Sequence, residues 1–295
     1  MSQFDKIINR RHTGSVKWDY VADDVLPLWV ADMDFEAAPA IKQAVLNRAE
    51  HGVFGYTKVE DDYYEAVTSW FHRRHQWDIQ RDWIIYTTGV IPALSCAIKA
   101  ITLPGEKVLI QTPVYNHFFS SIRNQGCEIL ENELVRQGDT YEIDFVDFEA
   151  KCADEKTTAF VLCNPHNPAG RVWHKDELER MGAICAKYNV RVISDEIHCE
   201  LVMPGNTFIP FASVNALNQS NSVTLNSPTK SFNIAGLQIA NIICSDNEMR
   251  RRVDRVVNIY EVCDVNPFGP VALKAAYNES EAWIDELNEY LWGNY

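Results

Sequence analysis

From about residue 83 to 245 the chain alternates short apolar runs of strand type with segments of helical periodicity, and no other pattern in it constrains the fold as tightly. Repeated strand–helix–strand units build a mostly parallel central sheet flanked by helices on both faces, an α/β architecture. The strand-like runs are 83–88, 107–111, 127–131, 159–163, 190–193, 223–225 and 239–243. Helical stretches at 89–100, 117–125, 146–153 and 175–188 connect them. Two more are expected before the alternation, at 38–50 and 62–75, and three after it, at 249–259, 269–277 and 279–292. Residues 132–157 read as a polar connecting excursion with one short helix, and the first forty as irregular.

In open α/β sheets, ligands bind beyond the carboxyl ends of the strands. Three such ends carry chemistry. Lys230 lies in Asn226-Ser-Pro-Thr-Lys-Ser-Phe-Asn-Ile-Ala-Gly-Leu237, after the run 223–225, flanked by small hydroxyls. A lysine on a short loop suits Schiff-base formation once its ammonium loses a proton, which partial desolvation or a nearby cation assists. Asp195 follows the run 190–193. Asn167 sits in Asn164-Pro-His-Asn-Pro-Ala-Gly170. Two Asn-Pro pairs and a glycine cannot continue a strand or helix, so they form a rigid turn, with an Asn-Pro bond as a candidate for cis.

Asn167, Asp195 and Lys230, in this order and each at a strand end, resemble the fold-type-I pyridoxal-phosphate enzymes of the aspartate-aminotransferase superfamily. The strings NPHNPAGRVW, ISDEIHCE, SPTKSFNIAGLQ and PLWVADMDFEAAPAI are similar to cystathionine β-lyases (C–S lyases) of the MalY/PatB type. The resemblance runs from about Phe4 to the last residue. It implies that Lys230 carries pyridoxal 5'-phosphate and acts as the general base. Asp195 then pairs with the pyridine nitrogen, Asn167 donates to the ring's phenolic oxygen, and Tyr115 stacks on the ring. Ser227, Tyr56 and the backbone amides of Val90 and Ile91 hold the phosphate, the amides helped by a helix start. Tyr56 comes from the neighbouring subunit of a homodimer, and backbone near Val30 and Ala31 meets the substrate. Read from the residues alone, Tyr56 and Tyr115 suit ordinary packing equally well, and so does the crowded stretch Trp29–Phe35.

Two departures favour the lyases over the aminotransferases. His198 stands where many aminotransferases place a tyrosine, and Gln238 where many place an arginine. The role of His198 itself stays open. The implied reaction is β-elimination of cystathionine or a related cysteine S-conjugate to thiol, pyruvate and ammonia. An aminotransferase, or a non-catalytic regulator binding a transcription factor, are the alternatives. The family continues for about a hundred residues more, which normally carry the arginine that grips the substrate carboxylate. The expected division is therefore an arm and part of a small domain at 1–45, a large cofactor-binding domain at 46–275, and the start of a truncated small domain at 276–295.

Composition narrows the remaining classes. The formal net charge of −14 argues against a nucleic-acid partner, which needs a basic patch. No apolar run approaches the roughly 18 to 20 residues of a membrane helix, and the start MSQFDKIINRRHTGS lacks the apolar core of a signal peptide. A cytoplasmic location is the expectation. The eight cysteines form no CxxC pair, so reduced thiols rather than a metal site are expected.

Overall fold

The computed structural model describes residues 2–295. Its centre is a seven-stranded sheet built from β1 (Ile84–Thr87), β2 (Lys107–Thr112), β3 (Glu128–Glu133), β6 (Thr157–Cys163), β7 (Arg191–Asp195), β8 (Ser222–Asn226) and β9 (Ala240–Ile243). The remaining two strands, β4 (Val135–Gln137) and β5 (Thr140–Glu142), form a separate hairpin. The sheet order is β1-β9-β8-β7-β6-β2-β3. β3, β2, β6, β7 and β8 are parallel, while β9 is antiparallel to both its neighbours. From β6 the chain steps one way through β7 and β8, and from β2 the other way to β3. That divergence opens a crevice at the carboxyl ends between β2 and β6.

The inner strands are apolar on both faces because both faces are covered. On one side, Val108, Ile110, Val161, Ile193 and Leu225 pack with α4 (Val90–Ile101), α5 (Asn116–Asn124) and α9 (Asn247–Ile259). On the other, Leu109, Phe160, Leu162 and Val192 pack with α6 (Phe145–Cys152) and α7 (Lys175–Lys187). A third core joins α2 (Pro39–Glu50), α3 (Asp61–His75), α10 (Phe268–Glu279) and α11 (Glu281–Asn294) beside the β1 edge. There Trp70 stacks on Tyr277, with ring centroids 4.9 Å apart. The N-terminal arm closes this core: Phe4 meets Trp283 and Tyr290, and Ser2 Oγ donates to Glu286.

The elements expected from sequence are present, with no end moved by more than two residues. Residues 132–157 hold more than one short helix. Gly138, at φ +60°, opens a two-residue turn that pairs Gln137 with Thr140. Those strands are only three residues long and mostly exposed, so they carry no apolar alternation. Two further short helices, α1 (Val16–Asp19) and α8 (Ala216–Ser220), escape the same reading because neither is long enough to show a period. No helix among the described residues is long and apolar enough to cross a membrane.

Candidate active site

β6, β7 and β8 end side by side: Cys163 is level with Asp195, and Asp195 with Leu225. The turns beyond them bring Asn167, Asp195 and Lys230 to the wall of one cleft of about 620 Å³. The same cleft is lined by Tyr115 from the β2–α5 turn, Val90 and Ile91 from the start of α4, and His198. Trp29, Val30 and Ala31 of the N-terminal arm complete the wall.

Each group is held by its local structure. Peptide bonds 112–113, 164–165 and 167–168 are cis. Cys163 Sγ accepts from the Asn167 amide at 3.4 Å, bracing that turn from beneath. The Lys230 loop folds on itself through Phe232 N donating to Pro228 O and Ile234 N donating to Thr229 O. Phe232 then plugs it into the third core, stacked on Trp283. Asn233, at φ +55°, ties the arm to the loop: its Oδ1 accepts from Met33 N, and its Nδ2 donates to Met33 O and Phe35 O. Arg10 and Lys17 pair with Asp32 and Asp34. The acidic half of Trp29–Phe35 is thus structural, while its first three residues face the cleft.

Asp195 is the one carboxyl among the described residues that lines the cleft. Burial pushes its carboxyl up to about 7, although the Ile197 amide and the charge of Lys230 pull the other way. Among the described residues no cation lies within 4.0 Å of it, and Lys230 Nζ has no hydrogen-bond or ion-pair partner. Burial also lowers His198 to about 4, with Lys230 adding to the effect, so the imidazole is neutral at pH 7. Tyr115 is raised, first by burial and then by Asp195. A buried carboxylate without a cation is costly unless a ligand supplies one. A protonated pyridine nitrogen would do so. The first amides of α4 have no acceptor within their own helix and suit a phosphate. The donor set therefore fits pyridoxal phosphate.

Five residues past Asp195 lies a second buried acid with the opposite character. Glu200 Oε1 accepts from Trp70 Nε1 and pairs with His75 Nε2, both at 2.7 Å, and Arg74 Nε lies 3.4 Å from Oε2. Burial raises this carboxyl, but His75, Arg74 and Trp70 outweigh it, and it sits below the ordinary glutamate value. His75, Cys199 and Glu200 are close enough together to suggest a metal site. Protein donors already occupy the glutamate oxygens, and burial holds the Cys199 thiol protonated.

Of the expected phosphate contacts, Ser227 does not line the cleft, and Tyr56, expected from the neighbouring subunit, does not line that of its own chain. Ser227 is buried, donates to Ile239 O at 2.6 Å and accepts from Thr229 N, so its hydroxyl serves the loop. Tyr56 is fully exposed on the chain's surface. Gln238 is exposed and does not line the cleft. The sequence reading missed Asn116, His117, Cys163 and Ile197 as lining residues. Each lies within four residues of Tyr115, Asn167 or His198, and that adjacency is the signal the sequence offers.

The chain belongs to the aminotransferase class I and II family, whose model matches residues 23–295. It is 42% identical to cystathionine beta-lyase PatB of Bacillus subtilis over 98% of this chain and 76% of that protein. The structure resembles that of a PLP-bound C-S lyase from Staphylococcus hominis, with a TM-score of 0.93 and 33% identity over 100% of this chain and 75% of the other. It equally resembles a PLP-bound putative aminotransferase from Clostridium difficile, with a TM-score of 0.95 and 41% identity over 99% and 76%.

Proposed function

We propose that the chain is a pyridoxal-phosphate-dependent carbon–sulfur lyase that splits cystathionine or a related cysteine S-conjugate into thiol, pyruvate and ammonia. The observation that carries the reading is the convergence of Lys230, Asn167 and the buried, raised Asp195 on one cleft. Likeness to a cystathionine β-lyase over nearly the whole chain supports the choice of reaction.

When bound, pyridoxal phosphate supplies an electron sink for charge developing at the substrate Cα. Lys230 would hold it through Nζ, and after displacement by the substrate amine the same nitrogen would take the Cα proton. Asp195 would keep a proton on the ring nitrogen, which makes that sink stronger. Asn167 would donate its side-chain amide to the phenolic oxygen, and Tyr115 would cover a ring face. The Val90 and Ile91 amides would hold the phosphate. The arm backbone at Val30 and Ala31 would limit water over the substrate. Neutral His198 would contact the substrate without repelling a protonated amine.

A homodimer completes this reading. Leu28, Val53, Phe54 and Tyr56 are large apolar or aromatic side chains, each more than half exposed, and a second copy would cover them. Tyr56 would then reach the neighbour's phosphate. Ser227 would support the site by shaping the Lys230 loop. We place the enzyme in the cytoplasm and keep the domain division at residues 46 and 275.

The test is an absorption spectrum of the protein with pyridoxal phosphate, before and after borohydride, beside Lys230→Ala. A visible band that reduction traps, and that Lys230→Ala lacks, is expected, with pyruvate released from cystathionine. Turnover that depends on an added keto acid would instead favour an aminotransferase. No band in a folded chain would refute the reading.

A further inference from the structure

The N-terminal arm that walls one side of the cleft is hydrogen-bonded to the rest of the molecule through one side chain. Residues 10–34 form a knot of their own: Arg10 binds Ser15, Asp32, Asp34 and Met33 O, while Lys17 and Trp18 Nε1 reach Asp34. Those bonds shape the knot but do not fix it against the sheet. Among the described residues, three hydrogen bonds join 7–35 to anything beyond residue 36, and the Asn233 side chain makes all three. Met33 and Phe35 also touch the third core. Burial adds little nearer the cleft, where Leu28, Trp29 and Ala31 are exposed and Val30 is half-buried.

We propose that Asn233 is a positioning residue for the substrate: it holds Val30 and Ala31 against the cleft and so sets how tightly an amino acid binds, not how the cofactor is held. The inference rests on the lyase reading and adds a residue that does not itself line the cleft. Asn233 lies three residues past Lys230, at φ +55°. That left-handed conformation is one asparagine adopts more readily than most residues with a Cβ. Its Oδ1 accepts from Met33 N at 2.9 Å, and its Nδ2 donates to Met33 O at 3.0 Å and Phe35 O at 2.8 Å. The pattern needs an amide, which offers an acceptor and two donors on one group. A carboxylate has the shape but no donor, and glycine has the backbone freedom but no side chain. Met33 is two residues past Ala31, so movement at the tether moves the cleft wall. The bonds that fold the Lys230 loop, from Phe232 N to Pro228 O and from Ile234 N to Thr229 O, do not use the Asn233 amide. Substrate positioning and cofactor anchorage are therefore separable.

Two variants test this. Asn233→Gly keeps the left-handed backbone and removes the tether. Asn233→Asp keeps the shape and sets a carboxylate against two carbonyl oxygens. Calorimetric titration of L-alanine, which has no group to eliminate, into the cofactor-loaded proteins reads binding without elimination. Its affinity should fall about five- to tenfold in both variants, the equivalent of one net hydrogen bond. With cystathionine, KM should rise by a similar factor while kcat stays within about twofold, the pattern of lost uniform binding. Affinity for pyridoxal phosphate, by equilibrium dialysis, and the Lys230-dependent band should match the wild type. Hydrogen exchange over 29–35 in the cofactor-free protein should be slow in the wild type and faster in both variants. Unchanged alanine affinity overturns the inference. So do losses of cofactor affinity or kcat as large as the loss of alanine affinity, and so does fast exchange over 29–35 in the wild type. Any of these with a normal wild-type band leaves the lyase reading standing, whereas absence of that band in the wild type removes both.

Discussion

Asp195 and Glu200 lie five residues apart on one segment, are both buried, and titrate in opposite directions. Glu200 is surrounded by protein donors and is held ionised. Asp195 faces a cleft, accepts one backbone amide, and is pushed up to about 7. The same residue class at the same depth is structural where the fold supplies its partners and functional where it leaves one partner out. Glu196, between them, is a third case. Burial raises it to about 8, yet Ser194 Oγ and the Phe211 amide satisfy one of its oxygens within the sheet's own layer. Depth alone therefore does not mark the site. The missing counter-charge beside a cavity does.

The contrast breaks most visibly at Glu200. Glu200→Ala removes the acceptor shared by Trp70, His75 and Arg74, and should cost about 3–5 kcal/mol of stability, as loss of one partner of a buried ion pair does. Urea denaturation of the cofactor-free protein measures it, and a cost below 1 kcal/mol would mean that the cluster is not a structural centre. Asp195→Asn should do the reverse: little loss of fold, but about 2–3 kcal/mol of cofactor affinity, the value of a charge-assisted bond. Equilibrium dialysis against pyridoxal phosphate checks this, and unchanged affinity would remove Asp195 from the site.

The pH dependence sharpens the comparison further. The folded-state value for Asp195 is raised, so its contribution to stability is full below the unfolded value near 4 and is lost as pH rises through 7. Between pH 5 and 8 the cofactor-free wild type should lose about 2 kcal/mol relative to Asp195→Asn. Glu196 adds a slope of its own that is mostly common to both proteins, because burial is the main cause of its raised value and the charge of Asp195 a lesser one. Glu200 is lowered, so its contribution is present above the unfolded value and disappears on acidification. Urea melts at the two pH values decide the matter: parallel behaviour of wild type and Asp195→Asn would show that Asp195 is not the strained acid.

Much of the fold was legible because its strands are buried on both faces. Runs such as Phe160-Val-Leu-Cys163 and Val192-Ile193 are continuous apolar segments bounded by turn residues, and local composition suffices to find them. The β4–β5 hairpin was not legible because exposed three-residue strands leave no pattern. In the site, Asn167, Asp195 and Lys230 stood out as polar residues at strand ends. Cys163 looked like one more strand residue and Ile197 like filler, although both line the cleft.

The sequence by itself determined the α/β alternation, the strand ends that carry Asn167, Asp195 and Lys230, and the turn chemistry around them. These are local properties, written in periodicity and in residues that cannot continue a helix or strand. Only the tertiary structure decided that Ser227 bonds within its own loop while Cys163 faces the cleft, and that Asn233 fastens the arm over Lys230. It also decided that Glu200 has Arg74 and His75 against it while Asp195 has no cation within 4.0 Å. The physical reason is that solvation and counter-charge depend on what distant segments bring within a few ångströms, which spacing along the chain does not encode.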